Sequence, residues 1–162
     1  MIRRFRRLSE DQSGAVLIEI ALIAPMLALM VMAISDISTA FSKRLELEQA
    51  AQRAIEKVMQ TTGEKTPEET IKSEAVCQYN GTNANGTCKT GRITEDDVTV
   101  QYTLTCDNVA KSYDSDCTSG QKEYRYIEAT VVDTYTPMFP IHFGTGDDDE
   151  YSLTAKAGVR VA

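Results

Sequence analysis

One carboxylate, Glu19, stands alone in an otherwise uncharged apolar run, five residues after Gly14. Placing an ionised carboxylate inside a bilayer-length segment costs about 2.5–3.5 kcal/mol on insertion scales. The side chain therefore needs either a partner or a route to the headgroups, and its position near one end of the run permits the latter by snorkelling. The next reactive set is four cysteines, at 77, 88, 106 and 117. They allow three pairings, and the equal eleven-residue separations favour Cys77 with Cys88 and Cys106 with Cys117. Metal binding is the rival for these cysteines. It lacks a Cys-x-x-Cys pair and a nearby histidine, so no metal or other cofactor is expected. Asp147, Asp148, Asp149 and Glu150 offer oxygen ligands for calcium, but without the spaced carboxylates and central glycine of a calcium loop they read as a solvated turn. His142 is the only histidine, and no serine–base or cysteine–base arrangement accompanies it, so an enzyme is not expected. Asn80-Gly81-Thr82 and Asn85-Gly86-Thr87 fit a glycosylation acceptor pattern and read as turns.

The elements that must position these groups begin with the run itself. Residues 15–34 hold one charge in twenty positions, and a helix of that length matches a hydrocarbon core of about 30 Å. Beyond Asp36 the pattern becomes amphipathic, with Ala40, Leu47, Ala51, Ala54, Ile55 and Val58 at three- and four-residue intervals. No glycine or proline interrupts positions 26–62, so one helix is expected from about Ala15 to Thr62, kinked at Pro25 and stopped at Gly63. Thr66-Pro67-Glu68-Glu69 signals a second helix to about Cys77, with Thr66 as cap, Pro67 in the first position and Glu69 completing a capping box. Tyr79–Arg92 has loop composition. The period then changes to two. Val98 to Cys106, a run near 124–135, and Tyr151 to Val161 each alternate apolar with polar, as half-buried strands do. The expected fold class is α+β: a long N-terminal helix, half transmembrane and half amphipathic, packed on a small antiparallel β-sheet with disulfide-closed loops.

Composition constrains the setting. The chain has 162 residues, 42% of them apolar, and a net charge of −7. Arg3, Arg4, Arg6 and Arg7 against Glu10 and Asp11 leave the leader at +2, so the remainder carries −9. A basic flank beside an apolar span keeps that flank in the cytoplasm and sends the rest outward, where cysteines oxidise. The acidic remainder offers no basic face for nucleic acid. An ordinary signal peptide is the competing reading of the N-terminus, although the run is longer than a usual signal core and ends without a clear small-x-small cleavage site.

Gly14, Glu19-Ile20-Ala21 and Pro25 resemble the TadE-like pseudopilins of the tight-adherence (Tad/Flp) pilus systems, which are similar in turn to type IV pilins. The pattern of that family is a glycine, a glutamate-aromatic-alanine triplet and a proline a few residues later. This chain has Ile20 where the aromatic residue stands. The polar helical continuation Leu47-Glu48-Gln49-Ala50-Ala51-Gln52-Arg53-Ala54 is similar to the family as well. The resemblance implies cleavage by a prepilin peptidase between Gly14 and Ala15, which makes Glu19 the fifth residue of the mature chain. It also implies assembly contacts through Glu19, Ile20, Ala21 and Pro25, with other pilins, minor pseudopilins and the Tad machinery as partners and no small-molecule substrate.

The expected organisation is a cytoplasmic leader at 1–14, a transmembrane half-helix at 15–36 and a periplasmic α+β domain at 37–162. The expected location is the bacterial inner membrane as a single pass, open to incorporation in an extracellular pilus. The main functional expectation is a minor pseudopilin acting in assembly of adhesive pili. The alternative is an uncleaved, membrane-anchored periplasmic binding module, for which the span is only a tether.

Overall fold

The computed structural model describes residues 13–61, 67–139 and 150–161. Helix α1 runs over Ser13–Gln60 as one unbroken element, about 72 Å long at 1.5 Å per residue. It passes through Pro25 without losing helical assignment. Its apolar half is exposed at every large side chain from Val16 to Ile34. The second half turns Leu47, Ala50, Ala51, Ala54, Ile55 and Val58 inward. Three alanines in that set let the helix backbone approach the sheet closely. Flanking that face are the pairs Lys43–Glu46 and Arg44–Glu48, each worth only a few tenths of a kcal/mol.

Helix α2, Glu68–Asn80, starts with Pro67 in the capping position and no side-chain cap bond. The Pro67 carbonyl accepts from the Thr70 and Ile71 amides. The expected Thr66 cap and the stop at Gly63 lie outside the described residues. The helix continues three residues beyond the expected end at Cys77, taking in Tyr79 and Asn80. Both have tertiary reasons to stay helical. The Tyr79 hydroxyl donates to Asp133 at 2.6 Å. The Asn80 amide donates to the Ile93 carbonyl at 2.7 Å and its oxygen accepts from the Arg92 amide. Gly81 then ends the helix at φ 84°, a left-handed conformation that favours glycine.

The sheet has four strands in the order β2-β1-β3-β4, all neighbours antiparallel. They are β1 (Val98–Cys106), β2 (Val109–Lys111), β3 (Glu123–Tyr135) and β4 (Tyr151–Arg160). Three of these were expected. The short edge strand β2 was not, and it follows a two-residue turn in which Asp107 and Asn108 both have positive φ. That is the geometry of a tight hairpin whose twist matches its strands. A capping box at Thr94 and Asp97 starts the short 3-10 turn leading into β1.

One face of the sheet forms the core. Val98 and Val100 of β1, Ile127, Ala129 and Val131 of β3, and Ala155 of β4 pack with the inward residues of α1 and with Ile71, Ala75 and Val76 of α2. Both disulfides are local, Cys77–Cys88 and Cys106–Cys117. The first closes a small hairpin in which Thr82 and Cys88 form a bridge and Gly86 takes the positive φ of the turn. The Asn-Gly pairs are therefore a helix end and a turn.

Candidate functional site

The candidate site is the exposed length of α1 together with the junction where that length meets the sheet. Gly14 lies in the first turn of the helix and is exposed, with no heavy atom near the place a β-carbon would occupy. Glu19, Ile20, Ala21 and Pro25 follow on the same helix, all exposed. Among the described residues Glu19 has no hydrogen-bond or ion-pair partner. At 100° per residue, Gly14, Ala21 and Pro25 fall within about 40° of one another, while Glu19 stands about 140° round the helix from Gly14. Of the expected assembly residues, Ala21 and Pro25 thus share a side of the helix that lets another helix approach. Glu19, with the Ala15 position one turn below it, and Ile20 each face another side.

The 18-residue apolar window of α1 that is long enough to cross a membrane has no part buried in the protein's own domain. Among the described residues nothing covers its apolar side chains.

At the end of the span the sequence showed only an aspartate. In the structure Asp36 is 9% exposed and ties three groups of the sheet domain to the helix. One carboxylate oxygen accepts from the Tyr135 hydroxyl at 3.1 Å and the Met138 amide at 2.9 Å, and the other accepts from the Phe139 amide at 3.0 Å. These partners lie 99 to 103 residues away, so no local pattern announces them. Burial, then the hydrogen bond to Asp36, holds the Tyr135 hydroxyl above the usual tyrosine range.

A second buried carboxylate, Asp133, lies two residues earlier on the same face of β3. It accepts from Tyr79 at 2.6 Å and pairs with Arg92 at 3.1 Å. Arg92 also donates to the Thr134 carbonyl. Burial first, and then Asp133, push the Tyr79 hydroxyl well above its ordinary value. Both networks are structural, because every group in them is engaged with another part of the fold. Among the described residues no cluster of His, Cys, Asp or Glu could hold a metal ion. Of the calcium candidates only Glu150 is described. It is exposed and accepts from the Thr136 hydroxyl, and Asp147, Asp148 and Asp149 lie outside the described residues.

Residues 14–55 match the family model of TadE-like proteins. The match starts at the glycine of the expected cleavage site, covers the exposed half of α1 and most of its packed half, and includes no strand. The TadE-like family is a structural pilus component, and the likeness covers about a quarter of the chain. No curated protein and no solved structure matches the chain.

Proposed function

We propose that this protein is a minor pseudopilin of a Tad-type pilus, anchored in the inner membrane by residues 15–36 and assembled through α1. Its 37–162 domain stands on the periplasmic side and the arginine-rich leader, residues 1–14, on the cytoplasmic side. A prepilin peptidase removes that leader between Gly14 and Ala15.

The observation that carries this reading is Glu19: a carboxylate without a partner among the described residues, on a helix whose apolar length touches nothing of its own domain. Cleavage would expose an ammonium group on Ala15. The two groups lie four residues apart, about 6 Å along the helix axis, so in a bundle of staggered helices the ammonium of one subunit can meet Glu19 of its neighbour. Removing one partner from a buried pair costs about 3–5 kcal/mol, enough to decide whether a subunit joins. Ala21 and Pro25, on one side of the helix, support the same step by letting helices approach.

Intact-mass analysis of the protein purified from its native membrane tests the cleavage, with a chain beginning at Ala15 expected and retention of Met1 refuting it. Glu19→Ala tests assembly. It should abolish piliation while the protein remains in the membrane at normal abundance. Normal piliation with Glu19→Ala, or with the span replaced by an unrelated one, would instead favour the anchored binding module.

A further inference from the structure

The lower end of the sheet domain meets α1 where the apolar span ends. Asp36 is two residues past Ile34, and its carboxylate holds the amides of Met138 and Phe139. Those hydrogen bonds fix the loop after β3 at the height of the helix's last apolar turn. The described start of that loop, Pro137-Met138-Phe139, is apolar, with Met138 74% exposed. The adjoining helix surface stays apolar beyond the span, since Ile37 and Phe41 are also exposed. Between helix and loop runs a largely apolar groove walled by Ile37, Phe41, Pro137 and Leu153, with Arg44 and Ser152 also on its wall. Tyr135 and Tyr151 stack beside it, ring centroids 6.4 Å apart.

Several of the hydroxyls of α1 at this level bond within the helix. Ser35, Thr39 and Ser42 donate their hydroxyls to the carbonyls four residues before them. Asp36 is occupied by the three donors already named. No exposed charge occurs on α1 between Ile34 and Lys43. A surface that carries tyrosines and continues an apolar span has the chemistry of the lipid headgroup region.

From this we infer that the foot of the domain, Pro137–Phe139 with Ile37 and Phe41, is a membrane-contact surface seated among phospholipid headgroups, with the groove occupied by the upper part of an acyl chain. The inference rests on the span being a membrane anchor and goes beyond it. A tether alone leaves the domain free of the bilayer, whereas this surface sets the domain down on it.

The chain has no tryptophan, so single tryptophan reporters read the contact directly. Four variants of the full chain are reconstituted in phosphatidylcholine vesicles with bromine near the top of the acyl chains, and Met26→Trp also in vesicles brominated near the chain ends, where its depth places it. Met26→Trp reports the anchor, Met138→Trp and Phe41→Trp report the foot, and Val109→Trp reports the far end of the sheet. Glu123, paired with Cys106 beside that hairpin, is about 40 Å along β3 from Tyr135. The expected result is loss of emission on bromination for Met26→Trp, Met138→Trp and Phe41→Trp, and none for Val109→Trp. If Met26→Trp is quenched while Met138→Trp matches Val109→Trp, the foot does not touch lipid and the inference is overturned. Quenching of Phe41→Trp alone overturns it too, because only the helix would then reach the bilayer. An unquenched Met26→Trp overturns the anchor itself, so the two failures are distinguishable.

Discussion

Replacing Asp36 with alanine should loosen one end of the domain while leaving its core folded. Three donors lose their acceptor. The Tyr135 hydroxyl is buried, and stranding a buried donor costs about 1–3 kcal/mol. The Met138 and Phe139 amides are only partly buried, so water replaces part of what they lose. A hydrogen bond to a charged acceptor is worth about 1.5–3 kcal/mol. Each amide should therefore lose about tenfold to a hundredfold in protection, since 1.4 kcal/mol is a factor of ten. The assay is hydrogen–deuterium exchange by mass spectrometry on the full chain in detergent, comparing the peptide containing Met138 and Phe139 with one containing Ile127, Ala129 and Val131. The first should exchange faster and the second should not change. Asp36→Asn, which retains one acceptor oxygen, should fall between the parent and Asp36→Ala. Unchanged protection at Met138 and Phe139 would refute the reasoning. Equal acceleration of both peptides would refute it as well, because Asp36 would then support the whole fold and not a junction.

Other outcomes follow from the same geometry. Replacing Cys77 and Cys88 together with serine should destabilise the domain by about 3 kcal/mol, the loop-closure value for a ring of this order, seen as a lower melting temperature. Gly91→Ala should cost about 1–3 kcal/mol, because a β-carbon there collides with the Asn80 side chain and pushes it off Ile93; chemical denaturation reads the loss. Tyr79 has its folded pKa raised, by burial first and then by Asp133. Its stabilising contribution is therefore complete below the free tyrosine value of about 10 and is lost as pH rises through the folded value. Spectrophotometric titration should show a late-ionising group of tyrosines, and Tyr79→Phe should shrink that late component.

Much of the architecture was legible because it rests on local periodicity. The unbroken α1 follows from the lack of glycine or proline across positions 26–62, and its inward face follows from residues 47–58 recurring at helical intervals. Three strands announced themselves by strict alternation, and the cysteine spacing pointed to the pairs observed. What could not be read depends on partners distant in the chain. Asp36 looks like the polar end of an apolar run until Tyr135 and the 138–139 amides arrive from about a hundred residues away. Asp133 continues the inward alternation of β3, where an apolar residue is the ordinary choice, and is admitted by Tyr79 and Arg92. Strand β2 is too short to show a period, although Asp107-Asn108 was a usable turn signal. Of the assembly residues, helical position was predictable for all. Helical geometry adds that Glu19 and Ile20 each face away from the side shared by Ala21 and Pro25.

Both disulfides close loops of the same local size, and neither joins α1 to the sheet. The attachment of the long helix to the strands is therefore non-covalent along its whole packed length. Mechanically the two halves of the molecule respond differently to load. The loops are stapled and resist stretching, while a pull on the span is borne first by the hydrogen bonds at Asp36 and then by the alanine-rich seam from Ala50 to Val58. Those contacts can slide or release without any bond breaking. A subunit drawn from a flat bilayer into a curved fibre could tilt its domain on the helix in this way, and reform the same contacts afterwards.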